Sequence, residues 1–315
     1  MTVKQLLLEY DKVNERGTLS PGDTLSGRVT VVTDKETKVQ CFLVKAKGKA
    51  EVMWPEQDRG ASLVHSDKKT YFYFEDIILQ DKKGDGSIII GPGKNVYSFT
   101  FEIPKRDMPS SYKGKWGKII YSLRAKLTQS IWQVHKAKTE FPFLTKSEFP
   151  FVSKSEMIII GLKEPQYGTR ISFYGSGKVT MNVSSEKMGL KQGETMEVSA
   201  EVLNNSAHTV TPKFFLCEKQ TFVAQSQRIV HTNAILLGTG ESVSAATSRT
   251  VSTVLTVPSH LPPTFFNCSK MKLEYRLKVT LDVPLGRDLE IKLPLVILLG
   301  QPKPPKEKAK RSWFT

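Results

Sequence analysis

Along KLEYRLKVTLDV, residues 272–283, apolar and polar positions alternate without a break. Leu273, Tyr275, Leu277, Val279, Leu281 and Val283 share one side, and mostly polar residues share the other. A period of two describes an extended strand with one face on a core and the other in water. Segments near 24–32, 38–50, 70–79, 95–103, 195–203 and 249–257 read similarly, most of them separated by clusters of Gly, Pro, Asn or Asp. No amphipathic helical pattern exceeds two turns. No window approaches the roughly 18 uninterrupted apolar residues of a spanning helix. The longest apolar runs, MIIIGL (157–162) and LPLVILLG (293–300), have the length of buried strands. The pattern predicts an all-β chain of short strands and tight turns, which means antiparallel β-sandwiches of the immunoglobulin-like kind.

The chain also repeats itself. LSPGDTLSGRVTV (19–31) and LKQGETMEVSAEV (190–202) align at an offset of 171, pairing Leu19 with Leu190, Gly22 with Gly193, Asp23 with Glu194 and Thr24 with Thr195. A second block repeats at an offset of 154: Pro104 with Pro258, Pro109 with Pro263, Tyr121 with Tyr275, Leu123 with Leu277 and Leu127 with Leu281. Two separated blocks in the same order indicate a duplication, hence two tandem antiparallel β-sandwich domains. Their boundary is expected within 161–178, where Gly and Pro thicken. This gives domains at 1–164 and 165–300, followed by a flexible basic tail at 301–315, too rich in Pro and Lys to pack.

Composition refines the picture. The 315 residues are 39% hydrophobic and 24% charged, an ordinary globular balance, with a formal charge of +15. Residues 1–155 hold 26 Lys+Arg against 18 Asp+Glu, and the remainder 20 against 13, with no block of five or six consecutive basic residues. Such diffuse basicity fits a solvated surface, or an anionic membrane or partner, better than base reading. The N-terminal residues lack the apolar core and cleavage site of a signal peptide. Cys41, Cys217 and Cys268 lie far apart and read as reduced thiols of a cytosolic protein. The N-x-S sequons at Asn182, Asn204 and Asn267 carry no weight there.

A search for chemistry yields no catalytic, cofactor-binding or metal residues. The histidines (His65, His135, His208, His231 and His260) are isolated. GPGKN (91–95) and GSGKV (175–179) lack the spacing and the following helix of a phosphate loop, and no nucleophile elbow occurs. The aromatics YFYF (71–74), Trp54, Trp116 and Trp132 are expected in cores rather than as stacking platforms. Lys45, Lys47 and Lys49 point to one face of a strand, with Ala46, Gly48, Ala50 and Val52 on the other. They are either a sheet edge guarded by lysines or a basic groove for an acidic or phosphorylated tail, to which Lys4 and Lys12 could add. In the tail, Lys306, Lys308, Lys310 and Arg311 precede Trp313 and Phe314 and are candidates for contact with an anionic membrane, against a plain solubilising role.

Taken together, these blocks resemble the arrestin family. NVYSFTFEIPKRDMPSSY (95–112) is similar to an arrestin N-domain segment, and EYRLKVTLDVPLGRDLEIKLPLVILLGQPKP (274–304) to the closing strands of an arrestin C-domain. GDTLSGRVTV and KAKGKAEVMW are closer to the α-arrestins, the arrestin domain-containing proteins. Two features of the visual and β-arrestins are missing: KKGDGSIIIGPGK (82–94) is too rich in Gly for their short helix, and their inter-domain Arg falls at Lys178. The PPxY motifs by which α-arrestins engage WW domains of HECT-type ubiquitin ligases are absent from the 315 residues; EPQYG (164–168), LPPTFF (261–266) and KPPKEK (303–308) all fall short.

The resemblance implies a non-catalytic cytosolic adaptor without cofactor, its two sandwiches forming a concave platform that binds cytoplasmic segments of membrane proteins and directs endocytosis, endosomal sorting or ubiquitination. It implies localisation in the cytoplasm with plasma-membrane and endosome association. Further implied partners are a HECT-type ligase reached indirectly, other arrestins and a peripheral membrane contact, with no nucleic acid. The alternatives are a retromer-type endosomal coat subunit, which shares the fold, and a basic nucleic-acid-binding protein.

Overall fold

The computed structural model describes residues 2–15, 17–58, 61–82, 88–145, 164–174, 177–283 and 288–300, and among these every regular element is a β-strand. The chain divides into two compact units: Met1–Lys154 with Lys219–Asn233 and Phe265–Glu274, and Ser155–Glu218 with Ala234–Thr264 and Tyr275–Thr315.

In the first unit, β1 (Val3–Tyr10), β2 (Thr24–Thr33) and β7 (Gly93–Glu102) form one sheet in the order β1-β2-β7. Strands β4 (Cys41–Asp58), β5 (Ala61–Gln80), β9 (Gly117–Ser130) and β10 (Gln133–Phe141) form the other in the order β10-β9-β4-β5, with β8 (Tyr112–Lys113) against β9. A short pair, β3 (Thr37–Lys38) and β6 (Ile89–Ile90), stands apart. The later strands repeat the plan. One sheet runs β11 (Gln166–Tyr174), β12 (Gly177–Ser185), β14 (Thr195–Asn205), β17 (Thr247–Thr256). The other runs β13 (Gly189–Lys191), β19 (Leu289–Leu298), β18 (Met271–Asp282), β15 (Thr211–Ala224), β16 (Gln227–Thr239). The order β10-β9-β4-β5 thus reappears as β19-β18-β15-β16.

The alternation that predicted the strands also builds the cores. Leu25, Val29 and Val31 of β2 are buried, as are Met196, Val198, Ala200 and Val202 of β14 and all six apolar residues read from 272–283. Each Val, Leu or Met among them contributes on the order of 1.5–3 kcal/mol relative to exposure.

The duplicated turn is built from the same bonds twice. Gly22 and Gly193 sit at φ of 81° and 79°, where a side chain would clash and glycine does not. The Asp23 carboxylate accepts the Ser20 amide at 2.8 Å, and that of Glu194 accepts the Lys191 amide at 2.7 Å. The Ile103 amide then donates to Asp23 O and the Val257 amide to Glu194 O, tying each turn to the end of β7 or β17.

The second block repeats likewise. The Tyr121 hydroxyl donates to Pro109 O at 2.6 Å, and that of Tyr275 to Pro262 O at 2.9 Å. Ser111 and Phe143 exchange an amide–carbonyl bond and an amide–hydroxyl bond, and Thr264 and Ile297 exchange the same two. These bonds correct the pairing of Pro109 with Pro263: its counterpart is Pro262. The loop slips by one residue before the offset of 154 returns at Tyr275 and Ile297.

Two stretches differ from expectation. β4 and β5 continue well past 50 and begin well before 70, forming one long hairpin. Within the segment 161–178, the described residues from Gln166 on belong to the hairpin of β11 and β12, closed by the pair Tyr174↔Gly177. The YFYF stretch does not alternate simply. A bulge in the register between Gly48 and Lys49 leaves Tyr71 unpaired, so Tyr71 and Phe72 are both buried while Tyr73 is exposed.

Candidate functional site

Strand β4 lies between β9 and β5, so Lys45, Lys47 and Lys49 do not guard an edge; they stand in the middle of an outward sheet face. Ala46, Gly48 and Ala50 point into the core between them. Their small size is required. A Cβ on Gly48 would lie 2.7 Å from the Tyr121 ring and 2.8 Å from that of Phe72. Small residues inward thus let two large rings press on the backbone that presents the lysines outward.

Register assembles the rest of the face. Lys45 pairs with Arg124, which pairs with Lys138; Lys126 pairs with Lys136; Lys47 pairs with Ser122; and Glu51 pairs with Lys118. Strands β4, β9 and β10 thus turn eight cations outward, accompanied by the acids Glu51, Glu75 and Glu140. Each acid is already engaged. Glu75 sits 2.8 Å from Lys45 Nζ and accepts the Tyr73 hydroxyl at 2.6 Å. Lys45 holds its carboxyl below the usual glutamate range, Tyr73 adding to the effect, and Lys45 is raised in return, chiefly by Glu75. Burial pushes Glu51 up, but Lys118 at 2.8 Å and the adjacent Lys49 outweigh it, so its carboxyl is lowered. Glu140 lies 2.6 Å from Lys138 and is lowered by it.

Lys47, Arg124, Lys126 and Lys136 have no ion pair among the described residues. Like charges directly opposite on neighbouring strands destabilise a sheet, yet Lys126 faces Lys136, and Arg124 faces both Lys45 and Lys138. Past Lys118 the face opens into a recess of about 760 Å³ lined by Lys68, Lys113, Lys115, Trp116 and Met53, with Glu51 and Asp67 as its acids. Asp67 is matched by Lys270 of the same unit at 2.5 Å. The arrangement suits an anionic chain that is extended, multivalent and able to place charge-assisted hydrogen bonds on several ammonium groups. It offers no nucleophile–base pair. Among the described residues no three His, Cys, Asp or Glu side chains gather as metal ligands.

Lys4 does not join this face, and no register brings Lys12 to it. Lys4 is on β1, in the other sheet, and is paired with Asp34 at 3.2 Å. The Lys12 stem lies against Gly17. Lys306, Lys308, Lys310 and Arg311 lie outside the described residues. His135 is half-buried and bonded to Gln129 at 3.0 Å. Trp54 is buried against His65, whereas Trp132 overturns the expectation of a core aromatic: it is 88% exposed.

Residues 6–147 match the N-terminal domain of arrestin (or S-antigen), and residues 175–302 match its C-terminal domain. The chain belongs to the arrestin family. Within it, this arrestin is of the α type. It is 26% identical over 303 residues to arrestin domain-containing protein 4 of Homo sapiens, covering 94% of this chain and 71% of that protein. It is 25% identical over 282 residues to thioredoxin-interacting protein of Rattus norvegicus, covering 88% and 69%. As an arrestin it is of the adaptor type, in a family of generally non-catalytic proteins. No helix among the described residues is long and apolar enough to cross a membrane.

Of the cations on this arrestin's sheet face, the sequence reading found only those of β4. Lys118, Arg124, Lys126, Lys136 and Lys138 needed the register to bring them together. A signal was present: from Met108 to Thr139 there is no Asp or Glu, while seven Lys and Arg occur.

Proposed function

We propose that this arrestin-family adaptor binds acidic or phosphorylated cytoplasmic segments of membrane proteins along the outward face of the β10-β9-β4-β5 sheet. Through that grip it directs their endocytosis, endosomal sorting or ubiquitination. One observation carries the reading: four unmatched cations stand among the eight that β4, β9 and β10 turn outward, and the acids Glu51, Glu75 and Glu140 beside them are already engaged. Opposed like charges cost stability, and an anionic ligand would offset that cost. An extended segment would lie across the strands and fill the recess with its last acidic groups, while β5 and β10, the edges of this sheet, offer unpaired backbone for strand addition. On this reading a HECT-type ligase is recruited through a partner protein, since no PPxY motif occurs in these residues.

The name of the thioredoxin-interacting relative suggests a thiol partner. A mixed disulfide would need an accessible thiolate. Cys217 and Cys268 are buried, burial raises the Cys217 thiol, and Cys41 is half-buried on β4; no second cysteine stands beside it on that strand, so the cationic face supports the reading better than the thiols do.

The test is fluorescence anisotropy with acidic peptides bearing two or three phosphoserines, set against unphosphorylated peptides and single-stranded oligonucleotides. The phosphopeptides are expected to bind, with affinity falling as salt rises. Arg124→Glu with Lys126→Glu is expected to weaken them by about tenfold or more. Equal binding by the variant, or preference for the oligonucleotide, would reject the reading.

A further inference from the structure

The most exposed large apolar residues of the described chain are adjacent: Ile131 at 81% and Trp132 at 88%. They are the two central residues of the β9–β10 turn, closed by the pair Gln133↔Ser130. Such two-residue turns ordinarily take Gly, Asn or Asp. The other two-residue hairpin among the described residues, between β15 and β16, places the polar Gln225 and Ser226 there, both exposed. Neither Ile131 nor Trp132 is at positive φ, and a register shift between Gln133 and Val134 absorbs the resulting splay. Turn chemistry therefore does not account for the pair, and no core covers it. A local rule broken without a packing gain points to use of the side chains themselves.

The strands behind the tip say what kind of surface they would meet. Lys126 and Lys136 form the first outward charged row, four residues from Trp132, or about 13 Å along the strand, and Arg124 and Lys138 form the next. Of the acids at this end of the sheet, Asp34 is held by Lys4, Asp81 is bonded to Gln40 through its backbone amide and followed by Lys82, and Glu36 is exposed between Lys35 and Lys38. An apolar wedge backed by flexible cations matches the boundary of an anionic bilayer: tryptophan rests at headgroup depth, and lysines extend their charges toward lipid phosphates.

We infer that the Ile131–Trp132 turn is a membrane-surface anchor, dipping into an anionic lipid interface while the cations behind it contact the headgroups. It acts separately from the basic tail and does not require a bound cargo.

The experiment is vesicle sedimentation of the full chain in a background where Lys303, Lys306, Lys308, Lys310 and Arg311 are alanine and Trp313 and Phe314 are serine, so that the tail supplies neither cations nor an aromatic anchor. Vesicles are phosphatidylcholine alone or with about 30% phosphatidylserine. The background chain is expected to bind the anionic vesicles. Ile131→Ser with Trp132→Ser is expected to lose about tenfold or more of that binding while keeping its unfolding temperature. Trp132→Phe should bind nearly normally but lose the blue-shifted, bromolipid-quenched fluorescence. Lys126→Glu with Lys136→Glu should lose the preference for anionic vesicles. Binding by the double serine variant equal to the background would overturn the inference. So would failure of the background to bind, or a vesicle-independent self-association abolished by the serine changes, which would make the turn a protein contact.

Discussion

A methyl group on Gly48 would have to share space with two aromatic rings, those of Tyr121 and Phe72, each under 3 Å from where it would sit. Both rings are buried and fixed by neighbours: Tyr121 stacks on Phe143 at 4.1 Å, and Phe72 on Phe74 at 5.3 Å. Gly48→Ala is therefore expected to cost about 1–3 kcal/mol, read as a lower urea midpoint, whereas Lys47→Ala next to it should leave the midpoint unchanged. Asn204 makes a comparable case in the second unit. Wholly buried, it donates to the carbonyls of His208, Val243 and Ser244 and accepts from the amide and hydroxyl of Ser206. Asn204→Ala strands those groups and should cost about 2–4 kcal/mol, measured in the same way. Its N-x-S sequon is thereby closed to glycosylation in the folded chain.

Among the elements, the duplicated locks invite a matched test. Tyr121→Phe and Tyr275→Phe each leave a proline carbonyl without its hydroxyl donor. Each should cost about 1–2 kcal/mol, and the two losses should resemble one another; a large loss at one and none at the other would show that the copies no longer share a role. What could be read beforehand follows the same division. Strands with one wet face, such as β2, β14 and β18, announced themselves because burial alternates along them. The first half of β5 did not: Ser62 to Thr70 is exposed or half-exposed and mostly polar, held by pairing with β4 rather than by a core. The cations of β9 and β10 were visible individually, but side-by-side placement depends on register, which is a property of two strands and not of one. Trp132 was misread for a related reason: an aromatic in a strand-rich chain belongs in a core unless the turn falls on it, and nothing in SIWQ marks a turn.

For the whole molecule, charge sets the response to pH. Carboxyls whose folded values are lowered by a nearby ammonium include Glu75 by Lys45, Glu140 by Lys138 and Glu290 by Lys292. A depressed carboxyl stabilises the fold at pH above its ordinary value of 4.5, and that contribution is lost as pH falls through the lowered folded value. Thermal unfolding temperatures are expected to be lower below that range than at neutral pH. Glu75→Gln should remove part of the difference: the variant is less stable than the parent at neutral pH, and the gap narrows in acid. A gap that stayed constant with pH would mean that the Lys45–Glu75 pair contributes nothing through its charge.

The paired turns at Gly22 and Gly193 bear on ancestry and on tolerance to change. Few residues match between the two copies, yet the same amides reach the same carbonyls in each. Where a bond is made by the backbone, the side chain above it is free to drift, and only a position such as the left-handed glycine resists replacement. An architecture specified so sparsely can shed most of its letters and still be copied, which explains how proteins agreeing at about one position in four over some 300 residues can be variants of one design.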